Sequence, residues 1–521
     1  MKKLIKIGVL SVISFSGVVT SCRDNNFGDD FNKDVFGTYK ADYKSLLSGA
    51  IMDFGTTSGL ASMAYQMYPN LFVQHWAQVT YTTEQQYGDN AGAWSRYYAN
   101  QLQNLNHIIN DYSGNPTQEM LLQGSKENMV GVSKIMRSII MKRVTDTYGD
   151  APFTEANKYS TGVYQPKYDK QQDIYKMLIT DLKEARDGLS TASKAPTGDV
   201  LYYGNINNWK KLANSVILQA TLQLQGTSLE SWAKTEYAAA LSNQAGVIET
   251  LAQEAWYTIS PSTTYPNPYA AFRAADYRIS RQLTESMKGN ATSFNVTSNH
   301  TPDYRLTLYS SSSDMNGTGL PYGYNTADLG AAGYKTSGTA QVSTRFRSNN
   351  SPMNLMTAGY TYLNRAEGAA LGWSKENVSD LLALAITRNY QTLEDKYTTG
   401  TAPLTGNKIS TMLNAATGKT YMSEYIVART ADLQQFGAIK VISEEKWVTL
   451  FMNGFDAWSE FRRTGVPALK PAPSALNGGV IPTRLRYPQE EVSFNNANYL
   501  EGVKGLKPAE DKNTSKVWWD N

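Results

Sequence analysis

One cysteine, Cys22, and three histidines, His75, His107 and His300, are all that 521 residues offer of the usual soft metal ligands. A lone cysteine excludes an intramolecular disulfide and any multi-cysteine metal site. No two histidines stand at the spacing by which one helix face presents two ligands, so a histidine-based zinc centre is not expected either. An excess of one charge is also missing. Three of the 49 basic residues are Lys2, Lys3 and Lys6, and the other 46 balance the 46 acidic ones. Past the first residues no net field draws the chain to phosphate, which argues against a nucleic-acid partner. Long apolar runs are scarce. The uncharged stretch at 7–19 is 13 residues, short of the roughly 20 that a helix needs to cross a bilayer.

That stretch has another use. Three lysines precede it and Val19-Thr20-Ser21-Cys22 closes it, giving a positive start, an apolar segment and small residues at a cut site. Residues 1–21 therefore read as a signal peptide. The cysteine directly after the small residues has the form of a bacterial lipobox, whose sulfur takes a diacylglycerol. Each buried acyl methylene contributes about 0.8 kcal/mol, so two or more chains anchor a protein stably. Cys22 is thus expected to be lipidated and to tie an exported protein to a membrane surface; the bland alternative is a secreted protein with an incidental thiol. Residues 22–43, with Asp24, Asp29, Asp30 and Asp34, read as a polar tether, and 44–521 as the folded body.

Helical periodicity dominates that body. Trp94, Tyr98, Leu102, Leu105, Ile109 and Tyr112 recur every three or four residues. So do Met129, Val132, Ile135, Met136, Ile139 and Ile140 within 118–144, and Ile174, Met177, Leu178, Leu182, Ala185 and Leu189 after them. Trp209, Leu212, Ala213, Val216, Ile217, Ala220 and Leu224 form a fourth set. Each predicts an amphipathic helix. Further helices are expected at 354–372, 379–397 and 438–454. The fold class is mostly α, with helix pairs spaced roughly as in tetratricopeptide repeats forming a solenoid-like half. Residues of about 256–353 differ: they are rich in Gly, Ser, Pro, Asn and Tyr without a sustained period. A long irregular segment so rich in tyrosine points to a functional, loop-rich lobe rather than disorder.

Seven blocks extend the reading: DTYGDAPFTEA (146–156), PKYDKQQDIY (166–175), NNWKKLANSVILQ (207–219), NRAEGAALGW (364–373), EEKWVTLFMNGFDAWSEFRRTGVP (444–467), PTRLRYPQEE (482–491) and the closing VWWD. In this order, behind a lipobox, they resemble the SusD/RagB family of nutrient-uptake lipoproteins of Bacteroidetes, in particular its SusD-like branch. The resemblance implies an outer-membrane, lipid-anchored, surface-exposed protein that is not an enzyme. It implies four tetratricopeptide-like helix pairs supporting a variable ligand-binding lobe. It also implies capture of an oligosaccharide, or in some members a peptide, and delivery to a SusC-like TonB-dependent outer-membrane barrel.

The blocks themselves read as scaffold. Asp146, Asp150 and Glu155 sit beside Gly149 and Pro152, where carboxylates usually hold turn backbone rather than act as acid and base. Glu444, Glu445 and Lys446 read as charges that stabilise a helix start, and Arg462 and Arg463 as clamps on carboxylates or carbonyls within the fold. Ligand contact is expected among aromatics outside the blocks. A sugar ring offers a C–H face to an aromatic platform and a hydroxyl rim to amides, carboxylates or arginine. Two stretches supply both. Trp76 and Tyr81 lie among Gln74, Gln78, Gln85, Gln86 and Asn90; Tyr265, Tyr269, Tyr322 and Tyr324 lie near Asn267, Arg273, Asp276 and Asn325. No cofactor is called for, although Asp and Asn clustered in loops are compatible with a structural calcium ion. Two other readings compete: a surface glycoside hydrolase, whose paired carboxylates would need a defined separation, and a structural or adhesive surface protein with helical repeats.

Overall fold

The computed structural model describes residues 42–56, 67–257, 259, 266–271, 273–312, 314–398 and 408–520. Cys22, with the leader and most of the tether, and Tyr265 lie outside the described residues. Contacts divide the chain into Met1–Asp42 and Tyr43–Asn521, and the elements below belong to the second unit.

Helices pack in sequential pairs. α1 (Tyr43–Gly55) lies on α2 (Gln103–Ser113), α3 (Lys126–Tyr148) on α4 (Gln171–Gly188), and α5 (Ile206–Leu222) on α6 (Glu230–Leu241). After the short α7 (Arg281–Lys288), α8 (Ala358–Ala370) lies on α9 (Val378–Tyr397). α10 (Tyr421–Phe436), α11 (Ala438–Thr449) and α12 (Gly454–Thr464) follow, each packed on the next. The pairs join through α2 on α3, α4 on α5, α5 on α8 and α8 on α11. The mostly helical, paired architecture expected from periodicity is the one observed.

The buried faces are those the sequence marks. α4 buries Ile174, Tyr175, Leu178, Ile179, Leu182 and Ala185, and α5 buries Trp209, Leu212, Ala213, Val216, Ile217 and Ala220. Close approach between pairs depends on small residues. A Cβ at Gly368 of α8 would stand 2.2 Å from the Tyr237 hydroxyl of α6, so only glycine admits that ring.

Several boundaries depart from periodicity. The 118–144 expectation divides into a turn at Gln118–Leu121 and α3, because the Ser125 hydroxyl accepts from Asn128 N and starts a new helix. The helix expected at 354–372 begins four residues late, at Ala358. Met353–Met356 is a strand, and Thr357 caps α8 by accepting from Tyr360 N. The 438–454 expectation stops at Thr449, and α12 restarts at Gly454. Between Trp94 and Ser113 a π-helical stretch, Tyr97–Leu102, precedes α2.

Glu444, Glu445 and Lys446 are not a solvated helix start. They sit within α11 and are fully buried. Glu444 meets Arg429, Glu445 meets Arg305, and Lys446 Nζ lies 2.5 Å from Glu367 and 2.9 Å from Glu460. Arg463 bridges the same two glutamates. Arg462 donates to the carbonyls of Asp146 and Thr483, the internal clamp its position suggests. Burial alone would raise the Glu460 carboxyl, yet Lys446 and Arg463 hold it well below the usual carboxylate range.

Two small antiparallel sheets join strands of the irregular lobe to each other and to the segment after residue 75. β1 (Trp76–Gln78) pairs with β3 (Tyr277–Ile279), and β2 (Ala255–Tyr257) pairs with β4 (Met353–Met356) through an irregularity at Ala255/Trp256.

Candidate functional site

β1 sets the site. Its register places Trp76 opposite Ile279, Ala77 opposite Arg278 and Gln78 opposite Tyr277, and Val79 N donates to Asp276 O, which extends the pairing by one residue. The chain then leaves the sheet and returns at Gln85. Gln78 and Gln85 clasp the base of this excursion reciprocally: Gln78 N donates to Gln85 Oε1 at 2.8 Å and Gln85 N to Gln78 Oε1 at 2.9 Å. Gln85 Nε2 donates to the carbonyls of Gln78 and Tyr324, and Gln78 Nε2 to Glu84 Oε2. Both amides are buried and their donors and acceptors are paired, which makes the clasp rigid.

At the tip stands Tyr81, with φ of +54° and 67% of its surface exposed. A non-glycine residue in the left-handed region costs on the order of 1–3 kcal/mol, and an exposed ring recovers little of that by packing. The clasp overrides the cost and presents the ring to solvent. The Arg273 guanidinium carbon lies 5.8 Å from the ring centroid, and Arg273 Nε is 3.3 Å from Asp276 Oδ2. A cation held over an aromatic ring, in a loop that also carries Thr80, Thr82, Thr83 and Glu84, offers the face and polar rim that suit a sugar ring.

The clasp also fixes Tyr324, whose carbonyl it binds. The half-buried Tyr324 ring meets Tyr334 at 5.9 Å, and Tyr334 meets Phe294 at 6.0 Å. Arg281 lies over Phe294 at 4.4 Å. A short aromatic row thus continues from the base of the Tyr81 loop.

Three expected ligand contacts belong to the core instead. Trp76 is wholly buried, with the rings of Tyr269 and Tyr277 edge-on to it at 5.2 and 6.2 Å. Tyr269 is buried, and its hydroxyl donates to Met452 O and accepts from Asn70 Nδ2. Tyr322 is buried, and burial pushes its hydroxyl well above the ordinary tyrosine range. These three rings are part of the hydrophobic core. Of the expected residues, Tyr81 is exposed and Tyr324 half-buried. Phe294, Tyr334 and Arg281 extend the site; the tyrosine density of the lobe hinted at Tyr334, while nothing in the sequence singled out Phe294.

The carboxylates of the 146–156 block are engaged. Asp150 accepts from Gln171 N, at the start of α4, and from Lys170 Nζ. Asp146 accepts from Tyr175, Trp519 and Lys142, and Glu155 from Lys167 N. Among the described residues no group of three or more His, Cys, Asp or Glu side chains could hold a metal ion. Among the same residues no helix is long and apolar enough to cross a membrane.

Residues 37–488 match the family model described as starch-binding, associating with outer membrane. No curated protein matches the chain in sequence. Solved structures do. A chitin-binding protein is similar at 25% identity and a TM-score of 0.73, across 92% of this chain and 100% of that one. A chitin-binding SusD homolog from Flavobacterium johnsoniae is similar at 20% identity and a TM-score of 0.71, across 92% and 99%. A SusD homolog from Bacteroides fragilis shares the fold at 18% identity and a TM-score of 0.74, across 92% and 100%. The helix pairs, the loop-rich lobe and the family match over most of the length agree: the chain belongs to the SusD-like family of starch-binding, outer-membrane-associated proteins.

Proposed function

We propose that the protein captures an oligosaccharide on the Tyr81 face and passes it, unaltered, to a SusC-like TonB-dependent barrel in the outer membrane. Lipid on Cys22 would hold it at the cell surface beside that barrel. The observation that carries the binding reading is Tyr81 itself, an exposed ring kept in a costly backbone conformation by a fully paired buried clasp. Chitin- and starch-binding relatives support a glycan over a peptide as the ligand. Affinity need only be modest, because tethering over a transporter raises the local ligand concentration. The carboxylates of the 146–156 block are occupied with backbone amides, lysines and the Tyr175 and Trp519 side chains, which suits a binding protein better than a hydrolase.

Affinity electrophoresis through gels containing starch, glycol chitin or other polysaccharides tests this. Retardation in at least one gel, with no new products after prolonged incubation, is the expected result. Free migration in every gel, or release of shortened sugars, would contradict it. Recovery of an outer-membrane barrel with the protein from its native membrane tests the delivery step.

A further inference from the structure

A second cleft lies in the helical half, away from the β1 loop. Residues of α2, α3 and α4 and the segment 153–158 enclose about 470 Å³ there. Its fixed point is Arg137 of α3, whose guanidinium donates to Asn106 Oδ1 and Asp181 and sits over the Phe153 ring at 5.3 Å. Asp181 is neutralised twice, by Arg137 and by Lys134 at 3.2 Å. Lys158 and Lys176 also line the cleft, both exposed, and neither forms an ion pair among the described residues. Arg137 Nε is buried without an acceptor. The cleft is therefore a cationic pocket whose own carboxylate is already spent, with Asn110, Thr154 and Thr180 as neutral polar lining.

Lys158 and Ala156 are shared with an adjoining groove of about 330 Å³. That groove has Tyr98 and Trp94 in its wall, with Tyr159 and Tyr164 standing 52% and 80% exposed beside it. Asn157, in the left-handed region at φ +59°, lines the groove and is tied to Tyr98 O and Asn106. Apart from the shared Lys158, the groove's charged lining is acidic: Glu155, Glu490 and Glu491. One continuous trough thus has an aromatic, acid-rimmed arm and a cationic arm.

We infer that this trough is a second saccharide site, taking an oligosaccharide whose neutral rings stack on the tyrosine arm and whose single carboxylate enters the Lys158/Lys176 arm. The acid rim disfavours a sugar charged along its length, so a lone uronic acid is preferred to a polyanion. Glu155 and Glu491 already accept from Lys167 N and Tyr168 Oη, which leaves Glu490 to accept a sugar hydroxyl on the neutral arm.

Calorimetric titration of the full protein with three probes tests it: a xylo-oligosaccharide bearing one glucuronic acid, its unsubstituted parent, and tetragalacturonic acid. The substituted sugar should bind about tenfold tighter than either of the others, the gain shrinking as salt rises. The double variant Lys158→Ala/Lys176→Ala, two surface changes whose folding is checked by circular dichroism, should abolish that gain. Tyr81→Ala should leave it intact, which separates this site from the Tyr81 face. Equal binding of substituted and parent sugars, tightest binding of tetragalacturonate, or a gain that survives in the double variant would overturn the inference.

Discussion

Tyr81 and Trp76 are both aromatic, lie five residues apart and have similar polar neighbours, yet the fold uses them in opposite ways. Trp76 points from β1 into a shell of tyrosines, while Tyr81 is lifted clear of the sheet by the Gln78/Gln85 clasp. Trp76→Ala should therefore cost about 3–5 kcal/mol of stability as a core cavity, measurable by denaturant titration. A second residue-scale consequence concerns His75, which is buried with Nε2 2.9 Å from Trp447 O. Burial lowers its pKa from 6.5 to about 3. The ring is neutral in the fold, whereas the unfolded chain binds a proton below about 6.5, so the contribution is intact above that value and is lost as pH falls towards about 3. Lowering the pH from 7 to 5 should cost about 2 kcal/mol from this group alone. His75→Gln, which keeps a donor for Trp447 O, should remove that part of the slope in parallel denaturation curves; an unchanged slope would mean that other groups dominate.

At the scale of elements, α11 shows most clearly what the fold rests on. Its Glu444, Glu445 and Lys446 each meet an opposite charge from another part of the chain, within a buried network. Removing one member strands its partners, so Lys446→Met should destabilise by about 3 kcal/mol or more, read as a fall in the denaturation midpoint with no change in far-ultraviolet dichroism per folded molecule. The helices α2, α3, α4 and α5 were legible because their apolar residues keep the 3.6-residue period over several turns. α10 was not, because its buried face is Tyr425, Arg429 and Leu433, and an arginine in the middle of a stripe erases the periodic signal. The breaks before α3 and α8 turned on caps at Ser125 and Thr357, local signals that a continuous apolar period overrides in reading. The site was legible in part. Polar neighbours marked Tyr81 and Tyr324, but they equally marked Trp76, Tyr269 and Tyr322. Which of these faces solvent is decided by β1 pairing with β3, a contact between segments far apart in sequence.

The whole molecule is a helical scaffold that carries a strained aromatic loop, and the family to which it belongs binds starch at the outer membrane. Its core forms one connected cluster from α1 to the closing Trp519, so the Tyr81 loop is braced by the entire unit rather than by its own short sheet. That rigidity has a functional meaning: a preorganised platform binds without the cost of ordering itself. The most direct measurement is calorimetric titration of the protein and its Tyr81→Ala variant with the polysaccharide-derived oligosaccharide that the gels identify. The account predicts that the variant keeps the wild-type denaturation midpoint and binds about tenfold or more weakly, as loss of a central aromatic contact does. Unchanged affinity in a correctly folded Tyr81→Ala variant would contradict it.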